Sequence, residues 1–251
     1  MLDQITPVIL TKDEEPNIGR TLAQLAWAAE VIVVDSFSTD ATLEIARRFP
    51  NVRVLQRAFD EHAAQWTFGL QHVRTPWFLA LDADYYLPEE LVRELEVLEP
   101  GTLRGFRAAF RYAVHGKPLR ASLYPPRIVL AMTAHSSFWQ DGHTQRISVD
   151  GDAGDLRTPI VHDDRKSFRS FVERQKRYMV QEAEKLRLRD PLALGVAARI
   201  RKLVVVAPFA VVIHTLFVKG LILDGRAGLW YAWERFVAEL MLSRELLRRP
   251  R

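Results

Sequence analysis

The chain of 251 residues contains no cysteine. That excludes disulfide staples, thiolate nucleophiles, zinc–thiolate sites and iron–sulfur clusters, and leaves oxygen and imidazole groups to bind any metal. The sequence has no internal repeat and no low-complexity tract. Its start, Met1-Leu-Asp-Gln-Ile-Thr-Pro7, lacks a basic segment ahead of an apolar one and does not read as a signal peptide, so a cytoplasmic chain is expected. A long hydrophobic run is also missing. The uncharged stretch from Leu203 to Val218 falls short of the ~20 residues needed to span a bilayer and contains Pro208 and His214. It reads as an interfacial, re-entrant or core helix. Charge of one sign is scarce too: 35 Lys and Arg against 31 Asp and Glu leave +4, and no nucleic-acid partner is expected.

What is present is a folded composition, with 48% hydrophobic and 26% charged residues. In the first half, short apolar runs alternate with helical patterns, the mark of a parallel sheet covered by helices. Strands are expected at Pro7–Leu10, Val31–Val34, Val52–Leu55 and Trp77–Leu81. Helices are expected at Pro16–Ala26, Ala41–Arg48 and Glu61–His72, with another opened by Pro88. From Gly105 the pattern turns to aromatic-rich strands, Phe106–Tyr112 and Arg127–Met132. Ser167–Leu188 then forms an amphipathic helix with Phe168, Phe171, Val172, Tyr178, Met179 and Leu186 on one stripe. Beyond Pro191 the chain reads as helical, with Leu229, Trp233, Phe236, Val237, Leu240 and Leu247 as an apolar face. The expected division is 1–166 for the α/β part and 167–251 for a helical extension.

Ligands of open α/β sheets bind beyond the carboxyl ends of the strands. Three polar or acidic loops meet there: Thr11-Lys12-Asp13-Glu14-Glu15-Pro16-Asn17, Asp35-Ser36-Phe37-Ser38-Thr39-Asp40, and Asp82-Ala83-Asp84. An Asp-x-Asp pair at a turning strand end presents hard oxygens to Mg2+ or Mn2+ and through the ion to a diphosphate. Read alone, the pair would more simply cap the following helix; beside two other such loops, the metal reading is preferred. Asp35 ends a wholly apolar strand, where an unpaired carboxylate is costly. Its functional reading is to accept hydrogen bonds from a nucleobase or ribose, the alternative being to cap the next helix through Ser36 or Ser38; Asp40 reads as a helix cap, and Glu14 and Glu15 can be partners of the first helix dipole.

These three segments, with the strands before them, resemble the successive motifs of glycosyltransferase family 2 over about residues 5–165. The resemblance implies a GT-A fold, a Rossmann-like, mostly parallel sheet with helices on both faces, and inverting chemistry. It assigns the nucleotide to Thr11, Glu14 and Asp35, and the metal and diphosphate to Asp82 and Asp84. The tail Phe217–Leu229, with Lys219-Gly220 and Asp224-Gly225-Arg226-Ala227-Gly228, resembles the branch that includes lipopolysaccharide-core glucosyltransferases. The chain departs from that branch at Tyr85, where an acidic residue is usual, and at Trp66-Thr67, where a basic residue and Asn are usual.

An inverting transfer needs a general base for the acceptor hydroxyl. In Phe138-Trp139-Gln140-Asp141-Gly142-His143-Thr144-Gln145 the first choice is Asp141 and the second His143, although Asp-Gly also suits a plain turn. The branch's His-Glu pair falls about where Thr144-Gln145 stand. In the family a His at the position of His162 can complete the metal or diphosphate site, with Arg165 or Lys166 as a diphosphate clamp; a capping role for Asp163 or Asp164 is compatible with this. The expected activity is divalent-cation-dependent transfer from a nucleotide-sugar donor to a glycan or lipid-linked acceptor in cell-envelope synthesis. A sugar-phosphate nucleotidyltransferase would need a glycine-rich basic loop after the first strand, which is absent. A non-catalytic membrane-surface scaffold would bind no nucleotide. Basic residues beside the apolar run, with Trp230, Tyr231 and Trp233, suit peripheral attachment to the inner face of the cytoplasmic membrane; the alternative is that these aromatics pack on the catalytic domain or in a homodimer.

Overall fold

The computed structural model describes residues 1–121, 124–141, 144–188 and 195–248. By its internal contacts the chain divides into two units, residues 1–111 with 124–165, and residues 112–123 with 166–251. A break at 166/167 therefore differs from this division by residue 166 and by the segment 112–123, which goes with the C-terminal helices.

The first unit is built on a seven-stranded sheet. Strands β1 (Ile5–Thr11), β2 (Val31–Asp35), β3 (Val52–Gln56) and β4 (Trp77–Asp82) run parallel in the order β4-β1-β2-β3. A two-residue strand β5 (Tyr85–Tyr86) follows β4. The sheet continues past β4 through β9 (Arg127–Met132), antiparallel to it, then β6 (Gly105–Ala108) and β12 (Ala153–Asp155). The strand expected at Phe106–Tyr112 is interrupted at Ala109. Its second part is β7 (Phe110–Val114), which forms a hairpin with β8 (Lys117–Pro118).

All five residues of β2 are buried, so both faces of the sheet must be covered. On one face Val8, Ile32, Val34, Phe78 and Ala80 meet Trp66 of α3 (His62–Leu70) and Phe138. A Cβ at Gly69 would stand 2.8 Å from Val8 Cγ1, so glycine is what lets α3 lie this close to the strands. The hairpin β10 (Ser136–Asp141) and β11 (Thr144–Val149) covers the same face, Phe138 stacking on Trp66 at 5.5 Å. The alternate residues Ile9, Val31, Val33, Leu79 and Leu81 face the other way. They are fully buried, as are Ile18 of α1 (Ile18–Ala23), Ala46 of α2 (Thr42–Ala46), and Leu91 and Leu95 of α4 (Glu89–Glu96).

The second unit is helical. α5 (Phe168–Leu188) packs on α8 (Arg226–Leu247) through Met179, Ala183, Leu186 and Leu242, beside α6 (Val196–Lys202) and α7 (Ala207–Ile213). Arg201 bridges Glu182 at 2.9 Å and Glu239 at 2.8 Å. The β7–β8 hairpin belongs here as well. Val114 and Leu119 share a cluster with Leu221 and Tyr231, and Asp224 accepts hydrogen bonds from Arg120 N and Nε at 3.0 Å.

The apolar face expected on α8 is only partly covered, Phe236 and Val237 being half-buried. Leu229, Trp233, Leu240 and Leu247 are exposed, while Ala227, Gly228, Tyr231, Ala232, Ala238, Leu242 and Ser243 are buried. The close contact is made by small residues: a Cβ at Gly228 would stand 1.8 Å from Leu221 O. Tyr231, expected near a membrane surface, lies in the core of this unit. Among the described residues no helix is long and apolar enough to cross a membrane; the apolar run is broken into α7, a π-helical turn at 214–218 and a 3-10 turn at 221–224.

Candidate active site

Because β1, β2, β3 and β4 are parallel, their carboxyl ends share one edge. The loops after β1 and β2 are tied to each other there. Asp13 N donates to Ser38 Oγ at 2.9 Å, Thr39 N to Asp13 Oδ1 at 2.7 Å, Glu14 N to Thr42 Oγ1 at 2.7 Å, and Lys12 Nζ to Phe37 O at 2.6 Å. Asp13 and Phe37 both hold positive φ, 51° and 60°. For Phe that is a strained conformation, of the kind retained at functional sites.

Asp35, expected to reach a nucleobase or ribose, is fully buried. Its carboxylate accepts from Thr11 Oγ1 at 3.2 Å, Ser38 N at 2.9 Å, Ser38 Oγ, and Gln56 Nε2 at 3.1 Å. Thr11, also buried, is spent on that contact. Glu14 accepts from Asn17 Nδ2 at 2.8 Å, and Asp40, expected as a cap, stands one residue before the N-cap Ala41 of α2 with its Oδ1 accepting from Thr42 N at 3.0 Å.

Asp82 and Asp84 stand at the end of β4. The antiparallel pairing of β5 with β13 (Ile160–His162), with His162 opposite Tyr85, brings the imidazole to them. His162 Nε2 lies 3.0 Å from Asp84 Oδ2, and the Tyr85 and His162 rings meet edge to face at 5.3 Å. Burial pushes the Asp82 pKa up and the charge of Asp84 adds to this, opposed by a hydrogen bond from Tyr85 and by the charges of His162 and Arg127. Burial by itself would lower the pKa of His162; the charge of Asp84, its hydrogen bond, and the charges of Asp82 and Asp164 outweigh burial and raise it. Two half-buried carboxylates and an imidazole thus crowd one spot with excess negative charge, a donor set of the hardness that Mg2+ or Mn2+ takes. Among the described residues no group of three or more His, Asp or Glu is already arranged around a cation position.

The segment after β13 is pinned to α1. Arg20 reaches Asp163 Oδ2 at 2.9 Å and Asp163 O at 2.7 Å, and Arg165 Nε reaches Asp163 Oδ2 at 2.7 Å. The guanidinium expected to clamp a diphosphate is thereby turned onto a neighbouring carboxylate. Lys166, its alternative, is the first residue of the helical unit after the division at 165.

Asp141 reaches the same edge by topology. β3 ends there, α3 starts there, and Ala63 N in the first turn of α3 donates to Gln140 Oε1 at 3.1 Å. Asp141 is buried and paired with Arg146 Nε at 2.7 Å. His143, the second choice of base, lies outside the described residues.

Sequence reasoning missed several residues that organise this edge. Asn17, fully buried, donates to Glu14 and to Asp164 Oδ1 at 3.2 Å and accepts from Arg20 and from Arg165 N at 3.0 Å. Thr21 Oγ1 lies 2.6 Å from Ala83 O and 2.9 Å from Tyr85 O, holding the turn between the two carboxylates and β5. Gln65 joins Ser36 to Arg57. Arg127, whose charge acts on Asp82, begins β9 beside Tyr124. No local pattern marks them, because most of their partners lie far along the chain.

Residues 6–99 match the model of Glycosyl transferase family 2. An uncharacterized glycosyltransferase of Rickettsia typhi is 34% identical over 98 residues, 39% of this chain and 33% of that protein. The lipopolysaccharide core biosynthesis glycosyltransferase LpsC of Rhizobium meliloti is 30% identical over 95 residues, 36% of this chain and 35% of that protein. The matched region thus spans about a third of the length of these relatives. Among solved structures, the mannosyltransferase PcManGT of Pyrobaculum calidifontis, in complex with GDP-Man and Mn2+, aligns over 97% of this chain and 86% of that one with a TM-score of 0.55 at 16% identity. Residues 1–349 of S. aureus TarS, in complex with UDP-GlcNAc, align over 96% and 90% with a TM-score of 0.51 at 15% identity. The family resemblance read from the strand-end motifs holds for the matched segment, and the fold is GT-A with a C-terminal helical region.

Proposed function

We propose that the protein is a divalent-cation-dependent, inverting glycosyltransferase that moves a sugar from a nucleotide diphosphate donor to a hydroxyl of a cell-envelope glycan or its lipid-linked precursor. The observation that carries this reading is the meeting of Asp82, Asp84 and His162 at the end of β4, beside the joined loops of β1 and β2. All three strand-end motifs lie within the family match.

Asp82 and Asp84 would hold Mn2+ or Mg2+ with His162 beside them; bound there, the ion supplies Lewis acidity to a leaving diphosphate. Thr21 keeps the Ala83–Tyr85 turn in place, and Asp84 with it. Arg127 adds positive charge at the same edge. Asp141 acts as the base, with Arg146 fixing the carboxylate's orientation. The acceptor O–H proton passes to Asp141, the acceptor oxygen bonds the anomeric carbon, and the bond from that carbon to the diphosphate oxygen breaks with its electron pair leaving on the diphosphate. The burial of Asp141 limits competition from water.

The helical unit suits work at a membrane face. Val205, Phe209, Ile213, Phe217, Val218 and Leu223 are all more than half exposed, and no carboxylate falls between 203 and 223. Arg199, Lys202 and Lys219 lie in or beside this stretch, a charge pattern that fits anionic lipid. The test of the catalytic reading is a Mn2+-dependent screen of nucleotide sugars for thermal stabilisation and hydrolysis, with Asp82→Asn as control. Stabilisation of the native protein that the variant and EDTA both abolish is the expected result. No nucleotide effect, or an identical response from the variant, leaves the scaffold reading in its place.

A further inference from the structure

We infer that Phe37 is the surface on which the donor's nucleobase stacks, and that base recognition in this chain rests on that ring rather than on the Asp35 carboxylate. The inference rests on the transferase reading above and concerns which residue of this chain meets the base.

A carboxylate has about four acceptor positions. Those of Asp35 are taken by Thr11, Ser38 twice and Gln56, and the residue is 0% exposed. A base or ribose would have to displace one of these internal bonds to reach it. Two residues further along, Phe37 is 51% exposed at the same sheet edge. An aromatic ring this exposed gains little from folding. It also sits at φ 60°, where glycine would be unstrained and a bulky residue costs free energy. That conformation is secured twice: Lys12 Nζ donates to Phe37 O at 2.6 Å, and Ser38, the next residue, is held by the buried Asp35. The loop thus maintains a strained backbone to present an apolar ring beside the loop after β1. Nucleobases offer a flat π-face to such a ring, and one base stacked on one aromatic side chain changes affinity by roughly tenfold when the ring is removed.

The test uses the full chain with Mn2+ and compares binding of UDP, GDP and ADP with that of pyrophosphate, which has no base. Phe37→Ala is expected to weaken all three nucleotides roughly tenfold and to leave pyrophosphate unchanged; Phe37→Tyr should bind as the native protein does. Phe37→Gly separates function from structure. It should raise the melting temperature, because glycine relieves the strain, while weakening the nucleotides as Ala does. Phe59→Ala, which removes a ring of similar exposure from the loop after β3, should change nothing. The assignment to Phe37 is overturned if Phe37→Ala binds nucleotides normally, if pyrophosphate binding falls with them, if Phe59→Ala loses as much, or if Phe37→Gly loses stability. Failure of the native protein to bind any nucleoside diphosphate would overturn the transferase reading as well, which distinguishes that outcome from failure of Phe37 alone.

Discussion

The strand-end edge of the sheet unit and the outer surface of the helical unit are opposites. At the edge, charge is concentrated and almost every polar group named above is engaged: Asp35 by four hydrogen bonds, Asp163 by two arginines, Asn17 by partners from three segments. Over 203–223 of the helical unit there is no carboxylate, and large apolar side chains face outward. On the function proposed above, the first surface would hold an anion through acidic groups, with a cation between them. The second, on the same proposal, would meet an apolar phase with negative charge at its boundary. A formal charge of +4 averages over both and describes neither.

Substitutions on the two surfaces should therefore separate cleanly. The largest effect is expected at the carboxylates: Asp82→Asn or Asp84→Asn should lower kcat/KM by about a thousandfold, roughly 4 kcal/mol of transition-state stabilisation, with the melting curve intact. Chelation of the native enzyme should give the same loss, reversed by Mn2+. Asp141→Asn should lower kcat by about a hundredfold or more with little change in KM, as removal of a general base does; an unaltered kcat would transfer the role elsewhere. Gly228→Ala tests the helical unit through its core. The methyl group has no room against Leu221 O, and a loss of about 1–3 kcal/mol in stability is expected from overpacking, read by thermal melting.

The triple replacement Phe209→Ser, Phe217→Ser and Leu223→Ser should abolish flotation with anionic liposomes while transfer to a water-soluble acceptor continues. Equal loss of both would mean the comparison of surfaces is wrong. The smallest effect belongs to Asp40. Burial works against its charged form, but hydrogen bonds from Thr42 and Glu15 prevail and its pKa is lowered. A depressed folded-state pKa contributes stability above about pH 4 that is lost as the pH falls through the folded value. Asp40→Asn should slightly flatten the acid limb of the stability profile and leave neutral-pH activity alone.

The parallel core was legible because Val31-Ile32-Val33-Val34 admits only a strand buried on both faces, and because Pro, Asp and Ser punctuate the loops. The three strand-end motifs were legible for the same reason, since they stand next to readable strands. The interlocking of these loops was not. Asn17 and Asp164 meet across 147 positions, and nothing in either local sequence announces the other. The small strands β5, β12 and β13 exist only through their partners, so no periodicity marks them. On α8 large apolar residues occur all around the helix, and four of the six bulky residues expected to face inward are exposed; Ala227, Gly228 and Ser243 are buried because closeness of approach, rather than size, decided the contact. The saturation of Asp35 was legible only in part: a bond to Ser38 was an alternative the local sequence offered, whereas Thr11 and Gln56 reach the carboxylate from neighbouring strands.

The segment 112–121 leaves the sheet unit in mid-strand to join helices that the ribosome makes much later. Arg120 waits for Asp224 across 104 positions, and Lys117 for the same residue's carbonyl across 107. At about 5–20 residues per second, this hairpin emerges several seconds before the side chains that complete its core. During that interval Val114 and Leu119 lack the cover that Leu221, Ala227 and Tyr231 provide, so the sheet unit emerges with an unfinished insert whose fate depends on the arrival of those residues. A mutation near Asp224 would then be felt first in yield from synthesis, and only afterwards in the stability of the finished molecule.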